Sequence, residues 1–413
     1  MSLQSFVAKL PHQVHLPDDT LTLALEGYTF ISNRCRDLDN DVFETRLMLQ
    51  RTICMLGAEA AQLFYDGEHI QRDGAAPNRL QASLFGRGGV QTLDGQAHRA
   101  RKHLFISLLG PLEVERMRDL MLAGLRTAID TWTGRVVLFD EVQDILARAA
   151  CTWAGLALDD DRRVRDLSSM IDGAGGAGPR HWRGRVGRAR AEWWVMRQLV
   201  QVRQRNLPAT GALRLFADSD LDARTAAVEV LNVIRPTVAV ARYLAFCALA
   251  LHEYPHAHDL VQSDSLVEPF VQEVRRFYPF FPAVAGRVRR IFDFHGVHCP
   301  EGARVMLDLY GTNHDPRIWP EPEHFRPERF VGWRGDPFTL IPQGGGDVAT
   351  GHRCPGETLT IELMKSFVRF LTREISYDVP SQDLSVSLAR MPTLPTSRMV
   401  IENVARRVQP GRA

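Results

Sequence analysis

Cys354 stands in the run Pro342-Gln-Gly-Gly-Gly-Asp-Val-Ala-Thr-Gly-His-Arg-Cys-Pro-Gly-Glu357, between a glycine-rich stretch and an apolar helix expected over Thr358 to Leu371. A cysteine at a helix N-terminus lies at the positive end of the helix dipole, which stabilises a thiolate. Three consecutive glycines let the backbone pass close to something large and flat. His352 and Arg353 flank the cysteine as cationic or hydrogen-bonding partners for an anion. Together these features suit a thiolate held against one face of a heme iron. A structural buried cysteine after a flexible loop is the plainer reading of the same residues.

Arg235 is the second residue whose type demands chemistry. It lies in Asn232-Val-Ile-Arg235-Pro236-Thr237, inside a mostly apolar stretch from Leu221 to Leu251 that predicts one helix of about thirty residues, capped by Asp220. A permanent cation in such a stretch needs an anionic partner. The partner is either a protein carboxylate such as Glu229 or Glu273, or a substrate carboxylate held by the planar guanidinium fork. Pro236 removes a backbone donor and should kink the helix, loosening the carbonyl of Asn232. Glu229, Asn232, Arg235 and Arg242 would be costly at bilayer depth, so a long buried central helix is expected rather than a membrane span.

Three further groups stand in order along the chain. His98 and Lys102 fall at i, i+4 on one helix face, after a glycine-marked loop from Leu84 to His98 that contains Gln91. Glu273-Val274-Arg275-Arg276 puts an acid and a base one turn apart, and Pro327-Glu328-Arg329-Phe330 follows. With Thr350-Gly351-His352-Arg353-Cys354-Pro355-Gly356, this chain resembles the cytochrome P450 superfamily over nearly its whole length. That family has Glu-x-x-Arg on a helix, a later Pro-Glu-Arg-Phe, and Gly-x-His/Arg-x-Cys-x-Gly around its heme-ligating cysteine. One departure is plain: Asp347 replaces the usual phenylalanine seven residues before the cysteine. The extra Gly344-Gly345-Gly346-Asp347 and the Arg235-Pro236 pair are similar to the fatty-acid peroxygenase branch.

The resemblance implies a mainly α fold with small β-sheets, a single heme-thiolate domain over residues 1–413, and a long central helix over heme b. It implies Cys354 as the iron ligand, His98 and Lys102 as partners of a heme propionate, and His352 and Arg287 as further cofactor contacts. Glu273, Arg276 and Arg329 become a structural lock. Most oxygen-using members carry an acid and then an alcohol in the central helix, but here no acid precedes Thr237. In the peroxygenase branch the fatty acid's own carboxylate, held by Arg235, replaces that acid and relays a proton during heterolysis of hydrogen peroxide. The product implied is mainly the 2-hydroxy acid, with some 3-hydroxy acid. Gln91 matches the family's substrate-access loop, where a decarboxylating member type carries histidine. Phe85, Phe280 and Phe281 either line the acyl channel or pack in the core. The alternatives are an alkene-forming decarboxylase, a monooxygenase fed by redox partners, and a heme-binding sensor without turnover.

Composition sets the frame around these residues. The 413 residues are 45% hydrophobic, enough for a sizeable core, and the net charge of +1 gives no signature for nucleic acid. Six cysteines are scattered without close pairs, which suits a reducing cytoplasm. Met1 to Asp18 reads as an irregular lead-in, neither signal peptide nor membrane anchor. Val42 to Leu47, Arg51 to Leu56, Arg135 to Phe139, Val284 to Phe294 and Val305 to Leu309 read as strands. Thr20 to Arg34, Ala58 to Tyr65, Leu112 to Trp132 and the basic Arg180 to Arg205 read as helices, the last of them solvated. Asp140 is a candidate cap for a helix to Leu156, Asp159 to Arg165 a charged loop, and Gly173 to Pro179 a flexible link. His252, His256 and His258 sit at a polar helix end rather than a metal site.

Overall fold

The computed structural model describes residues 18–175 and 178–407, so most of the lead-in and the middle of the Gly173 to Pro179 link lie outside the described residues. Helices build the core. The central one runs Ala223–Ala239, lapses for one residue at Val240 and resumes as Ala241–Glu253. Its cap is Asp222, not Asp220: the Asp222 carboxylate accepts from the amides of Arg224 and Thr225. The helix passes through Pro236 and loses its regularity four residues later, while the Thr237 hydroxyl donates to the carbonyl of Val233 at 3.1 Å. Taken as one rod it is long and apolar enough to cross a membrane, yet 89% of its most apolar window is buried inside the protein. It is the core helix the sequence predicts.

The largest sheet has five strands in the order Val42–Leu47, Gln50–Met55, Arg304–Asp308, Ala283–Val288, Ile70–Gln71. The sheet flanks one end of the central helix's cavity through Ala283, Ala285 and Met306. Several expected elements shift. Only Val136 and Val137 form the strand expected over Arg135 to Phe139, because a helix already starts at Leu138; Asp140 lies inside its first turn and pairs with Arg398. Arg162–Asp172 is a helix where the charges suggest a loop: Val164, Leu167, Met170 and Ile171 give it a buried stripe. Gly27, at φ 59°, divides the helix expected from Thr20 to Arg34.

Glu273 and Arg276 are both fully buried on the helix Asp264–Phe277. Two guanidinium nitrogens of Arg276 reach the two Glu273 oxygens at 2.8 Å each, and Arg329 Nε lies 3.2 Å from the same carboxylate. Arg276 also donates to the carbonyls of Asn313 and Pro322, so one side chain ties the helix to the loop before Phe330. Removing one partner of a buried pair strands the other charge, at about 3–5 kcal/mol. Arg276→Ala should therefore lower stability by that amount in urea unfolding; a loss below ~1 kcal/mol would mean that the pair carries no structural weight.

Candidate active site

Two cavities meet at Arg235. One, of about 350 Å³, is lined by Cys354, Gln343, His98, Lys102, His352 and Arg72, and by Gln91, Asn232 and Pro236 of the facing wall. The other, of about 550 Å³, is lined mostly by apolar groups and runs from Arg235 past Ala239 and Met306 to Leu23 and Pro392. Phe85, Phe280 and Phe281 line both. The sequence left open whether these rings pack in the core. Phe280 does both, stacking on Tyr243 at 4.3 Å while facing the cavities.

Arg235 is 4% exposed, and its guanidinium lies 6.0 Å from the centre of the Phe85 ring. Neither expected carboxylate is its partner. Glu229 is taken by Arg101 and Asn232, and Glu273 by Arg276 and Arg329. Arg235 Nε has no hydrogen-bond partner at all. Burial first, then repulsion from Arg188, pushes its pKa down to about 9, so it stays charged at neutral pH. A buried cation without a counter-charge, placed where two cavities join, is built to receive an anion.

Cys354 sits just ahead of the helix Glu357–Arg369, as its position in the sequence predicts. Burial pushes its thiol pKa up; the backbone amide of Gly356 and the charges of Lys102 and Arg275 act in the other direction. Gln343 Nε2 stands 3.8 Å from the sulfur. The glycine run is needed here: a Cβ on Gly344 would come within 2.9 Å of the Tyr65 hydroxyl, and Gly344 has φ 93°.

His98 and Lys102 project from the helix Gly95–Ser107 into the smaller cavity, both almost fully buried. His98 stacks on His352 with ring centres 3.9 Å apart. Burial pushes both imidazoles down, His98 to about 3 and His352 to about 4, so both are neutral. His352 is thus a hydrogen-bonding group beside Asp94 rather than a cation, and Arg353 is spent on Glu357 at 2.7 Å. Lys102 donates to the carbonyls of Gly351 and Arg353, and burial lowers its pKa to about 8. Arg287 does not face this cavity. Its Nε and Nη1 donate to the carbonyls of Gly74 and Gly302, at 2.7 and 2.8 Å. The buried cation on that wall is Arg72, which no sequence signal marks: it is a lone arginine before Asp73-Gly74. Asp94 was also missed. Against its own burial, hydrogen bonds from His352 and the amides of Arg72 and Asp73 hold its carboxyl at about 2.

These residues fit a heme. Arg72, Lys102 and the imidazoles of His98 and His352 gather at one end of the cavity, a set of cations and hydrogen-bond donors that suits two propionates, and Cys354 offers a soft sulfur donor from the wall. His252, in the last turn of the central helix, and His256 and His258 beyond it form no metal-binding group among the described residues. The basic helix Pro179–Arg205 is only partly the solvated face expected. Arg188 is 1% exposed and clamps the turn that carries Phe85, donating to the carbonyls of Leu84, Phe85 and Val228.

Known proteins place this architecture. Residues 253–397 match the cytochrome P450 family model. Cytochrome P450EX alpha (CYP152N1), solved with myristic acid, superposes with a TM-score of 0.93 at 40% identity, over 95% of this chain and 98% of that one. Cytochrome P450SP alpha (CYP152B1) in complex with (R)-ibuprophen gives 0.91 at 44% identity, over 94% and 99%. A variant of cytochrome P450 OleT in complex with arachidonic acid gives 0.92 at 35% identity, over 96% and 98%. Among curated sequences, cytochrome P450 71A8 of Mentha piperita is 28% identical over 34% of this chain, and cytochrome P450 3A41 of Mus musculus 29% over 32%. Those matches span 28% and 26% of the relatives' own lengths. The chain belongs to the cytochrome P450 superfamily, with its single-domain, heme-binding fold, and the solved structures it resembles include its CYP152 members.

Proposed function

We propose that this protein is a cytoplasmic peroxygenase that uses hydrogen peroxide to hydroxylate long-chain fatty acids close to the carboxylate, mainly at the α carbon. The observation that carries this reading is the unpaired, buried Arg235 at the junction of the two cavities. The larger cavity has the apolar lining an acyl chain needs, and related structures hold myristic and arachidonic acid. Cys354 would hold the iron of a bound heme, which would supply the redox chemistry for O–O cleavage. His98, Lys102 and Arg72 would hold its propionates. The Arg235 guanidinium grips the substrate carboxylate, which then serves as the general acid–base beside the peroxide. Among the described residues no acid lines the smaller cavity, and Glu229 is tied to Arg101 and Asn232. Phe85 and Phe280 exclude water around the head group, the more exposed Phe281 lines the cavity beside them, and Pro236 and Gln91 shape the adjoining wall. Anchoring the head fixes which carbons lie near the reacting centre. One C–H bond becomes C–OH and the second peroxide oxygen leaves as water, so the balance needs no external electrons.

Hydrogen peroxide alone should therefore sustain turnover of a long-chain acid. Gas chromatography should show mainly 2-hydroxy acid, some 3-hydroxy acid and little terminal alkene. Product that forms only with a reductase, a ferredoxin and NAD(P)H would contradict the peroxygenase reading. Dominant alkene would make the protein a decarboxylase, and absence of any product would leave a heme-binding sensor.

A further inference from the structure

Glu229 is completely buried, and the reaction above gives it no step. Arg101, 14% exposed at its side chain, holds one carboxylate oxygen at 2.5 Å. An interior ion pair is poor evidence of stability, because desolvation cancels much of the attraction. Its other oxygen is more telling. Glu229 Oε2 accepts from Asn232 Nδ2 at 2.9 Å, and the same nitrogen lies 3.2 Å from Gln91 Oε1. The contact is close-fitting: a Cβ on Gly89 would sit 2.7 Å from Asn232 Nδ2 and 3.1 Å from Gln91 Oε1.

A carboxylate only accepts hydrogen bonds, so it selects which end of the Asn232 amide faces it. The NH2 end faces Glu229, and its second hydrogen reaches Gln91. Gln91 must then present its carbonyl oxygen to Asn232, which leaves its own NH2 group for the cavity that Gln91 shares with Arg235. Asn232 Oδ1 has no partner, a cost accepted to keep Nδ2 between its two acceptors. We propose that Glu229 and Arg101 are positioning residues that set the polarity of the Gln91 amide, so that the cavity wall offers N–H donors to the head of a bound carboxylic acid. This rests on the reading of Arg235 as the carboxylate anchor and adds a second donor, oriented from a distance by a buried charge.

The test compares a long-chain fatty acid with its primary amide, using dissociation constants from Soret titration of the holoenzyme. The wild type should prefer the acid. In Glu229→Gln the side chain can donate or accept, the polarity is no longer dictated, and the acid-over-amide preference should fall by roughly three- to tenfold, the weight of one hydrogen bond. Arg101→Met should do the same by letting Glu229 protonate, and it changes a partly exposed residue should Glu229→Gln fold poorly. Arg101→Lys should restore the wild-type preference. In a Gln91→Leu background, Glu229→Gln should add nothing. An unchanged preference in both Glu229→Gln and Arg101→Met, or an equal effect with and without Gln91, would overturn the proposal while leaving the anchor reading intact. Failure of the wild type to bind the acid at all would overturn both.

Discussion

Replacing Arg235 with alanine should abolish fatty-acid hydroxylation without harming the fold. Truncating one partner of a buried, hydrogen-bonded charge pair costs on the order of 2–5 kcal/mol, or roughly 30- to several-thousand-fold in binding. The loss in turnover should exceed the loss in binding, because the carboxylate that Arg235 positions is also the proton relay. Stability should respond differently. In the free protein Arg235 has no carboxylate partner, and its removal orphans no other group. A buried, uncompensated cation costs free energy, so Arg235→Ala should melt no lower than the wild type. Binding measured with myristic acid and a thermal scan check the two halves together. A variant that binds normally would contradict the anchor; one that unfolds would show that Arg235 has a structural partner.

Cys354→Ala should remove the red-shifted thiolate Soret band of the reduced, carbon-monoxide-treated protein altogether. The other five cysteines are buried in the core away from this cavity, and none lines it, so none can substitute. Burial alone would keep Cys354 a thiol, and what opposes it is the amide of Gly356 with the charges of Lys102 and Arg275. Coordination to a bound heme iron would complete that shift, since a coordinating thiol is deprotonated outright. Heme retained by Arg72, His98 and Lys102 in the variant should give an ordinary spectrum; an unaltered thiolate band would mean that another residue ligates the iron.

The parts of the fold governed by local pattern were legible in the sequence. The thirty-residue apolar stretch is the central helix, Glu273 and Arg276 meet one turn apart, and Cys354 faces a cavity from the start of its helix. What was not legible depends on tertiary contact. Arg287 lies in one strand and Arg72 just past the end of its neighbour, and nothing local says which of the two lines the cavity; Arg72 does, over the ring of Phe64 at 4.2 Å. His352 looks cationic beside an arginine, yet stacking on His98 in a buried site makes it neutral. Arg188 is one of several arginines on its helix, and only the packed turn at Leu84 and Phe85 distinguishes it. Arg235 was a question in the sequence with two answers. The pairing of Glu229 and Glu273 elsewhere removes the plainer one.

The central claim is that the acid bound at Arg235 supplies the proton relay, and peroxide-driven oxidation of styrene isolates it. Styrene carries no carboxylate, so the wild type should leave it nearly untouched with peroxide alone. A short carboxylic acid, too small to reach the reacting centre itself, should occupy Arg235 and switch styrene oxidation on. In Arg235→Ala the same acid at the same concentration should produce no activation. Activation that persists in Arg235→Ala would contradict the account and place the relay on another group.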